Sequence, residues 1–205
     1  MKEGSSRLIG MLFIAGLALS TEHAPAQNQG SRTVKQLVES RCSLCHGLEG
    51  DSSSALFPRL AGQHPEYLGK QLEDFKSGRR KGTMNEMAVD LSSAEIKGLA
   101  EYFANQKVGA KLVRDQDLSA VGRYIYHKGN PYSGVAACEG CHGAKGLGTS
   151  QLPRLAGQRS AYTEQQLKQF NTRERNNANA IMHSIAAKLT ELEVKAVATY
   201  ISGLD

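Results

Sequence analysis

Two short stretches of the chain combine residue types and a spacing that suit covalent attachment of a cofactor. The stretch 42–46 reads Cys-Ser-Leu-Cys-His, and the stretch 138–142 reads Cys-Glu-Gly-Cys-His. Two thiols at this spacing can bond to the two vinyl groups on one edge of a porphyrin, and the imidazole that follows ligates the iron. Because the pattern occurs twice, on matching stretches of a longer repeat, the sequence predicts two covalently bound c-type haems.

The cysteines of these motifs are the predicted attachment residues: Cys42, Cys45, Cys138 and Cys141, which are all four cysteines of the chain. A zinc site and a thioredoxin-like redox pair are the alternatives for such motifs. A zinc site requires the cysteine pairs of two separate repeats to converge on one metal. A redox pair does not require the histidine that follows each pair. Both alternatives therefore explain the pattern less well than haem does.

The histidines of the motifs, His46 and His142, are the predicted proximal iron ligands. A ligating imidazole usually donates its second ring N–H to a nearby acceptor, which fixes the orientation of the ring. Pro58 and Pro153 follow the two motifs at matching positions, and we expect a backbone carbonyl there to be that acceptor. The alternative is that each proline only shapes a turn.

The repeat also selects a sixth ligand for each iron. Met84 and Met182 each lie eight residues before the predicted start of the last helix of their half. A lone methionine usually fills a core, but a register-matched pair in a chain with few methionines indicates axial ligands. Met87 is the first rival, and His64 and His183 are weaker ones because neither is repeated.

This ligation predicts electron transfer. A thioether ligand favours the reduced iron and raises its potential relative to two histidines. Two irons with all six positions filled leave none open for a substrate, so the sequence does not predict an enzyme.

The rest of the chain repeats in the same way. Pro-Arg-Leu-Ala-Gly-Gln at 58–63 recurs at 153–158, and the capping box Ser-Ser-Ala-Glu at 92–95 recurs as Thr-Glu-Leu-Glu at 190–193. Gaps between the two halves fall in loops, where insertions cost little. The chain is therefore a tandem duplication of one mostly helical unit.

Helical spacing of apolar residues and capping signals locate the main elements. One helix is expected from Thr33 to Arg41, one from Pro65 and one from the Ser92 cap. Another is expected from about Leu118 to His127, and its apolar residues are Val121, Tyr124 and Ile125.

The basic run Gly-Arg-Arg-Lys-Gly at 78–82 is predicted to be a solvated turn, with a docking patch as the alternative. The helix before the first motif also lacks a glycine matching Gly122 before the second. Its close packing against the last helix of its half is therefore uncertain from the sequence.

Composition agrees with a globular protein built around haem. The chain has 205 residues, of which 40% are hydrophobic and only 6% aromatic, so a buried haem supplies much of the centre of each core. The formal charge is +5, and the four propionates of two haems offset most of it. This surplus gives no reason to expect binding to nucleic acid. The second half carries the larger basic surplus, which predicts slightly different potentials for the two haems.

Residues 1–26 are predicted to be a signal peptide. The apolar run from Leu8 to Leu19 is too short for a confident membrane span, and Ala24-Pro25-Ala26 suits a signal peptidase. We expect cleavage after Ala26 and export to the periplasm, where c-type haem is attached in bacteria. An uncleaved membrane anchor is the alternative.

Taken together, the paired motifs, the repeated Pro-Arg-Leu-Ala-Gly-Gln and the late methionines resemble the cytochrome c4 family of dihaem class I cytochromes. The resemblance covers residues 33–205 and implies an all-α fold of two tandem class I cytochrome c-like domains. We place these domains at 27–110 and 118–205, joined by a linker at 111–117. The resemblance implies His/Met ligation of both irons, with the two haems close to each other at the domain interface.

It further implies a monomeric periplasmic electron carrier that associates loosely with the membrane surface. The expected electron donor is a quinol–cytochrome c oxidoreductase or another redox protein. The expected electron acceptor is a terminal oxidase or another redox protein. One alternative is the cytochrome subunit of a dehydrogenase, such as a sulfide-oxidising flavocytochrome. Another is a dihaem peroxidase or thiosulfate dehydrogenase, which requires one open or differently ligated iron.

Overall fold

The chain folds as α-helices joined by turns and loops. The computed structural model describes Met1, residues 32–109 and residues 115–205. The predicted signal peptide, apart from Met1, and residues 111–114 of the predicted linker lie outside the described residues. Both halves belong to one compact unit. None of the helices in the two described ranges is long and apolar enough to cross a membrane.

The first half forms its helices in the order that the sequence predicts, with short additions. The elements are α1 (Val34–Leu37), a π-helical turn (Val38–Cys42), α2 (Ser43–His46), α3 (Pro65–Lys76), α4 (Met84–Ala88) and α5 (Ser93–Ala104). The first three follow one another without a break, so one continuous helical stretch carries the first motif. A π-helical turn is rare and is frequently found at functional sites.

The second half repeats this order with a longer first helix. Its elements are α6 (Gln116–Lys128), α7 (Glu139–His142), α8 (Ser160–Asn171), α9 (Ala180–Ala186) and α10 (Glu191–Ser202). A loop that is closed by an antiparallel bridge between Asn130 and Val135 separates α6 from the second motif.

Capping boxes begin three of these helices. The hydroxyl of Ser92 accepts from the backbone N–H of Glu95 at 3.2 Å, and the carboxylate of Glu95 accepts from the backbone N–H of Ser92 at 2.7 Å. Thr190 and Glu193 repeat this arrangement at α10, as predicted. A third box, at Thr33 before α1, was not predicted.

Each half packs its helices around its own apolar core. The core of the first half consists of Leu37, Val38, Leu68, Ala88, Leu91, Ile96, Leu99, Ala100 and Phe103. The core of the second half is smaller and consists of Ile125, Tyr126, Val197 and Ile201. The first cysteine of each motif, Cys42 or Cys138, packs against the core of its half. The motifs therefore lie directly against the two cores.

Only part of the apolar set of α6 faces the core. Ile125 is buried, but Val121 and Tyr124 are 45% and 57% exposed. The residues that pack inward with Ile125 are Gly122 and Tyr126. Gly122 can face α10 because it has no side chain, and this close approach rotates the two apolar residues outward.

The first and last helices cross closely in both halves, including the first half, where the sequence left the crossing uncertain. The glycine at the crossing lies in the last helix of the first half and in the first helix of the second half. In the second half a Cβ on Gly122 would lie 2.0 Å from the carbonyl oxygen of Ala196 in α10. In the first half the glycine is Gly98 in α5, where a Cβ would lie 2.5 Å from a methyl group of Val34 in α1. Gly98 and Ala196 occupy corresponding positions in the repeat. The glycine that permits the close approach therefore belongs to α5 in the first half and to α6 in the second.

Candidate haem centres

The two motifs place their thiols at the surface edge of each core. Cys42 and Cys138 are half-buried, whereas Cys45 and Cys141 are exposed, and all four are free thiols. Burial raises the pKa of Cys138 to about 11, and burial also raises the pKa of Cys42. Both groups are therefore neutral thiols at neutral pH.

The proximal histidines are buried and oriented by the predicted prolines. Nδ1 of His46 lies 3.1 Å from the carbonyl oxygen of Pro58, and Nδ1 of His142 lies 3.2 Å from that of Pro153. Because a carbonyl oxygen only accepts, each Nδ1 carries the hydrogen, and Nε2 keeps its lone pair. The expectation that a proline carbonyl orients each imidazole is confirmed.

Electrostatics keep these imidazoles in the form that binds a metal. Burial lowers the pKa of His46 and of His142, and the hydrogen bond to the proline carbonyl only partly offsets this effect. Both rings are therefore neutral at neutral pH. In each half, two thiols and one neutral imidazole with a free Nε2 are the donor set that a c-type haem requires, so the residues present fit the cofactor.

The candidate sixth ligands lie on two short helices that the sequence did not predict. Met84 is the first residue of α4, and Met182 is the third residue of α9. Both are half-buried, whereas the rival Met87 is 37% exposed. The two methionines thus occupy corresponding helices of the repeat.

The rival histidines make backbone contacts. Nε2 of His64 lies 2.7 Å from the carbonyl oxygen of Leu147, in the other half. Nδ1 of His183 lies 2.8 Å from the carbonyl oxygen of Phe170. In the first half Asn85 takes the place of His183, and its amide donates to the carbonyl oxygen of Phe75 at 2.6 Å. The residue after each candidate methionine therefore fastens that segment to the preceding long helix.

The repeated Pro-Arg-Leu-Ala-Gly-Gln segments join the two halves reciprocally. The amide oxygen of Gln158 accepts from the backbone N–H of Arg59 at 2.7 Å, and its amide nitrogen donates to the carbonyl of Arg59 at 2.9 Å. Gln63 makes the same pair of bonds to the backbone of Arg154, at 2.8 and 2.9 Å. Sequence analysis identified this motif as a repeat but not as the interface.

A second set of reciprocal contacts corrects a prediction. The basic run at 78–82 was expected to be a solvated turn, but Arg80 is only 7% exposed, as is Arg175 in the other half. Each guanidinium donates to the amide oxygens of both Gln71 and Gln166, at distances from 2.7 to 3.3 Å. The prediction was wrong for Arg80 because its acceptors come partly from the other half, which no local pattern reveals.

One further contact between the halves differs in chemistry from its counterpart, which is the contact of His64 with Leu147. The carboxylate of Asp51 accepts from Arg59 at 2.7 Å and from Arg159 of the second half at 2.9 Å. Arg159 also donates to the backbone carbonyl of Ser52. Since Arg159 and His64 correspond in the repeat, the two halves use different polar groups at this position.

Only the second half carries a histidine beside its motif in the described residues. Nδ1 of His127 lies 2.5 Å from a carboxylate oxygen of Glu139, which lies inside the motif, and Nε2 lies 2.8 Å from the hydroxyl of Tyr200. The corresponding tyrosine of the first half, Tyr102, instead donates to the carbonyl of Leu48 at 3.1 Å. The surroundings of the two centres are therefore not identical.

Comparisons with known proteins agree with this arrangement. The Cytochrome c family model matches twice, over residues 31–129 and 127–205. A cytochrome c4 of Thiocapsa roseopersicina is 44% identical, covering 80% of this chain and 87% of that protein. A thiosulfate dehydrogenase electron acceptor of Thiomonas intermedia is 34% identical, covering 78% of this chain and 77% of that protein. The crystal structure of reduced cytochrome c4 from Pseudomonas stutzeri superposes with a TM-score of 0.78 at 34% identity, covering 84% of this chain and 99% of that chain.

Proposed function

The chain belongs to the cytochrome c family, and on that premise we propose that it passes single electrons between respiratory partners in the periplasm, towards a terminal oxidase. It is an all-α, dihaem electron carrier of the cytochrome c4 type and binds two covalent c-type haems. The donor is proposed to be a quinol–cytochrome c oxidoreductase or a functionally equivalent protein.

One observation carries this proposal: the complete donor set is present twice. Each half holds a buried neutral imidazole, fixed by a proline carbonyl 3.1 or 3.2 Å away, beside two free thiols. Two equivalent centres in one compact unit suit the passage of electrons in single steps. Duplicated catalytic pockets would instead require an open coordination position in at least one half.

The side chains have the following proposed roles. Each haem supplies an iron that alternates between its ferrous and ferric states. The two motif cysteines of each half would hold one haem against the core through thioether bonds. His46 and His142 would each provide Nε2 to the iron of their own half. Met84 and Met182 provide the thioether sulfurs, which favour the reduced iron. With a histidine nitrogen and a methionine sulfur bound, each iron would have no position left for a substrate.

The experiment that tests this ligation is an optical spectrum of the oxidised protein. Methionine-ligated ferric haem has a weak charge-transfer band in the far red. We expect Met84→Ala and Met182→Ala each to remove about half of that band, because each variant loses one of two thioether ligands. Met87→Ala is the matched control and is expected to keep the full band. A wild-type spectrum with high-spin features would contradict the carrier proposal, since one iron would then be open.

A second candidate donor is thiosulfate dehydrogenase. It is favoured by the similarity to the Thiomonas intermedia protein, whose name describes an electron acceptor of that enzyme. Stopped-flow reduction of the oxidised protein by a thiosulfate dehydrogenase with thiosulfate tests this pairing. Reduction within the enzyme's turnover time is expected for a physiological pair, and reduction only on much longer timescales would exclude it.

Export to the periplasm is also part of the proposal. It is supported by the basic start, the apolar run and the Ala-Pro-Ala of residues 1–26, and by the external site of c-type haem attachment in bacteria. The intact mass of the purified haem-loaded protein tests cleavage. A mature chain that begins at Gln27 is expected, and a mass that includes residues 1–26 would show a retained anchor instead.

A further inference from the structure

Charged side chains of the first half meet at the stretch of residues 84–90, which we call the Met84 segment. Arg41, in the π-helical turn, donates to the carboxylate of Asp90 at 2.6 and 3.1 Å. The same guanidinium donates to the backbone carbonyl of Met87 at 3.1 Å. Arg41 therefore ties the Met84 segment to the helical stretch that carries the first motif.

A second arginine, Arg32, reaches the same aspartate. Its guanidinium donates to the carboxylate of Asp90 at 2.7 Å and to the backbone carbonyl of Asp90 at 3.1 Å. It also donates to the carboxylate of Glu95 in α5 at 2.8 Å. The two arginines hold the pKa of Asp90 well below its usual range, so this carboxylate is charged at neutral pH. We call Arg32, Arg41 and Asp90 together the clamp.

Among the described residues, the second half has no counterpart of the clamp. In the repeat, Asp90 corresponds to Lys188, and Arg41 corresponds to Ala137. The ammonium group of Lys188 donates to the backbone carbonyl of Gly134 at 3.0 Å, in the loop before the second motif. The charge at this position is therefore reversed, and its partner is a neutral group.

The Met182 segment, which comprises residues 182–188, is held without an ion pair in the two described ranges. His183 contacts the backbone carbonyl of Phe170 at 2.8 Å, and Asn85 contacts that of Phe75 at 2.6 Å in the first half. This anchor is common to both segments. The clamp is an additional restraint on the Met84 segment alone.

A methionine can leave its iron only if the segment that bears it moves. An external ligand binds only to an iron that has lost its methionine, so its apparent affinity depends on the fraction of protein in which the segment is open. Bonds that break on opening lower that fraction. A single exposed ion pair contributes little, but Asp90 accepts from two guanidinium groups, and Arg41 also binds a backbone carbonyl. Opening of the Met84 segment therefore breaks several bonds at once.

We propose that the clamp keeps Met84 on its iron, so that the second half is the one that releases its methionine and admits an external ligand. This proposal rests on the proposed function, in which Met84 and Met182 are the sixth ligands. The clamp residues are positioning residues, because they act on the iron only through the segment that they hold.

The external ligand belongs to the class of small neutral nitrogen donors, of which imidazole is an example. Its ring nitrogen takes the position that the thioether sulfur of Met182 leaves. One iron–sulfur bond breaks and one iron–nitrogen bond forms, and each donor atom keeps or supplies its own electron pair. The iron keeps its oxidation state, and no proton is transferred.

The test is a titration of the oxidised, haem-loaded protein with imidazole at constant pH, followed through the far-red charge-transfer band. Met84→Ala and Met182→Ala isolate the two centres, since the band of each variant reports only the methionine that remains. We expect the band of Met84→Ala to disappear at an imidazole concentration about tenfold lower than that of Met182→Ala. Equal concentrations, or the opposite order, would overturn the proposal.

Asp90→Asn, introduced into the Met182→Ala protein, tests the clamp itself. We expect it to lower the imidazole concentration that removes the band by about three- to tenfold, because opening then breaks no ion pair at this position. Glu86→Gln is the matched control, since it removes the same charge from an exposed position in the same segment. An effect of Asp90→Asn that is no larger than the effect of the control would count against the clamp.

Ionic strength provides an arm that changes no residue of the clamp. Salt screens exposed charges, so high salt should lower the imidazole concentration that removes the band of Met182→Ala. The band of Met84→Ala, which reports the half without the clamp, should respond less. Equal salt responses of the two variants would overturn the assignment of the restraint to charge.

Hydrogen–deuterium exchange separates failure of this proposal from failure of the proposed function. Peptides that cover the Met84 segment should exchange faster in Asp90→Asn than in Glu86→Gln, because exchange reports local opening whatever group ligates the iron. Equal exchange in the two variants would overturn the clamp. A wild type without the far-red band would contradict the proposed ligation itself, while the exchange result would still decide whether the clamp restrains its segment.

Discussion

At the scale of single residues, the repeated Pro-Arg-Leu-Ala-Gly-Gln segment does two tasks. The carbonyl of Pro58 orients His46, and the next residue, Arg59, offers its backbone to Gln158 of the other half. The same relation holds in the second half. The backbone of one segment therefore both orients the proximal ligand and pairs with the other half.

Asp74 gives a prediction at this scale. Burial alone would raise the pKa of Asp74, but hydrogen bonds from Lys70, Asn177 and Arg79 outweigh it, so the pKa lies below its usual value. Because the folded-state pKa is below the unfolded one, the carboxylate stabilises the fold at neutral pH, and this contribution is lost as the pH falls through the acid range. We expect Asp74→Asn to be less stable by about 1–3 kcal/mol at neutral pH.

The difference should shrink as the solution is acidified, and urea unfolding of the wild type and Asp74→Asn over a pH series measures it. Glu49→Gln, which changes an exposed loop carboxylate, is the control and is expected to follow the wild type. A stability difference that does not vary with pH would contradict the assigned role of the charge.

At the scale of elements, the two halves solve one packing problem with different residues. The first and last helices of each half cross closely, and each crossing uses one residue without a side chain. The second half uses Gly122 in α6, and the first half uses Gly98 in α5. Because the backbone of the partner lies so near Gly122, that crossing leaves no room to adjust, whereas Gly98 faces only the end of the Val34 side chain.

Alanine substitutions at these glycines should separate the two cases. Gly122→Ala would place a methyl group 2.0 Å from a backbone oxygen, and we expect it to destabilise the protein by about 1–3 kcal/mol through overpacking. Gly98→Ala should cost less, since a side-chain methyl can move. Gly69→Ala, on α3 with nothing within 4 Å of its Cβ, is the control and should stabilise by up to about 1 kcal/mol. Urea unfolding monitored by circular dichroism measures all three, and equal costs at Gly98 and Gly122 would contradict this view.

At the scale of the whole molecule, reciprocal contacts hold the two halves as one unit. Gln63 and Gln158 each satisfy a backbone N–H and a backbone C=O of the opposite half. Arg80 and Arg175 exchange contacts in the same way. Because each bond has a counterpart related by the repeat, a substitution in one half and its counterpart in the other should have similar effects.

Removal of the glutamines should therefore uncouple the halves. Gln63→Ala and Gln158→Ala each remove the partner of three backbone groups, two of them in the opposite half. Each buried group left unpaired costs about 1–3 kcal/mol. We expect the double variant to unfold in two separate calorimetric transitions, where the wild type unfolds in one. Gln106→Ala, which loses a bond to the carbonyl of Tyr102 within the same half, is the control. A single transition in the double variant would show that the remaining contacts suffice.

The sequence by itself determined the chemistry and the duplication. The motifs with His46 and His142, the capping boxes and the proline carbonyls are local patterns, because they depend on residues close together in the chain or on register within the repeat. Met84 and Met182 were selected in the same way and stay predictions until their ligation is measured. The all-α fold of two tandem cytochrome c domains followed from these patterns and from the family resemblance, and it is confirmed.

Only the tertiary structure decided what lies between the halves and which way some side chains face. A basic run between two glycines looks solvated, because an isolated buried charge is costly; Arg80 is buried since acceptors about 80–90 residues away in the chain, Tyr162 and Gln166, surround it. Val121 has the spacing of an inward residue, yet the close approach of α10 at Gly122 turns it outward. Such contacts join residues far apart in the chain, so periodicity along one helix cannot reveal them.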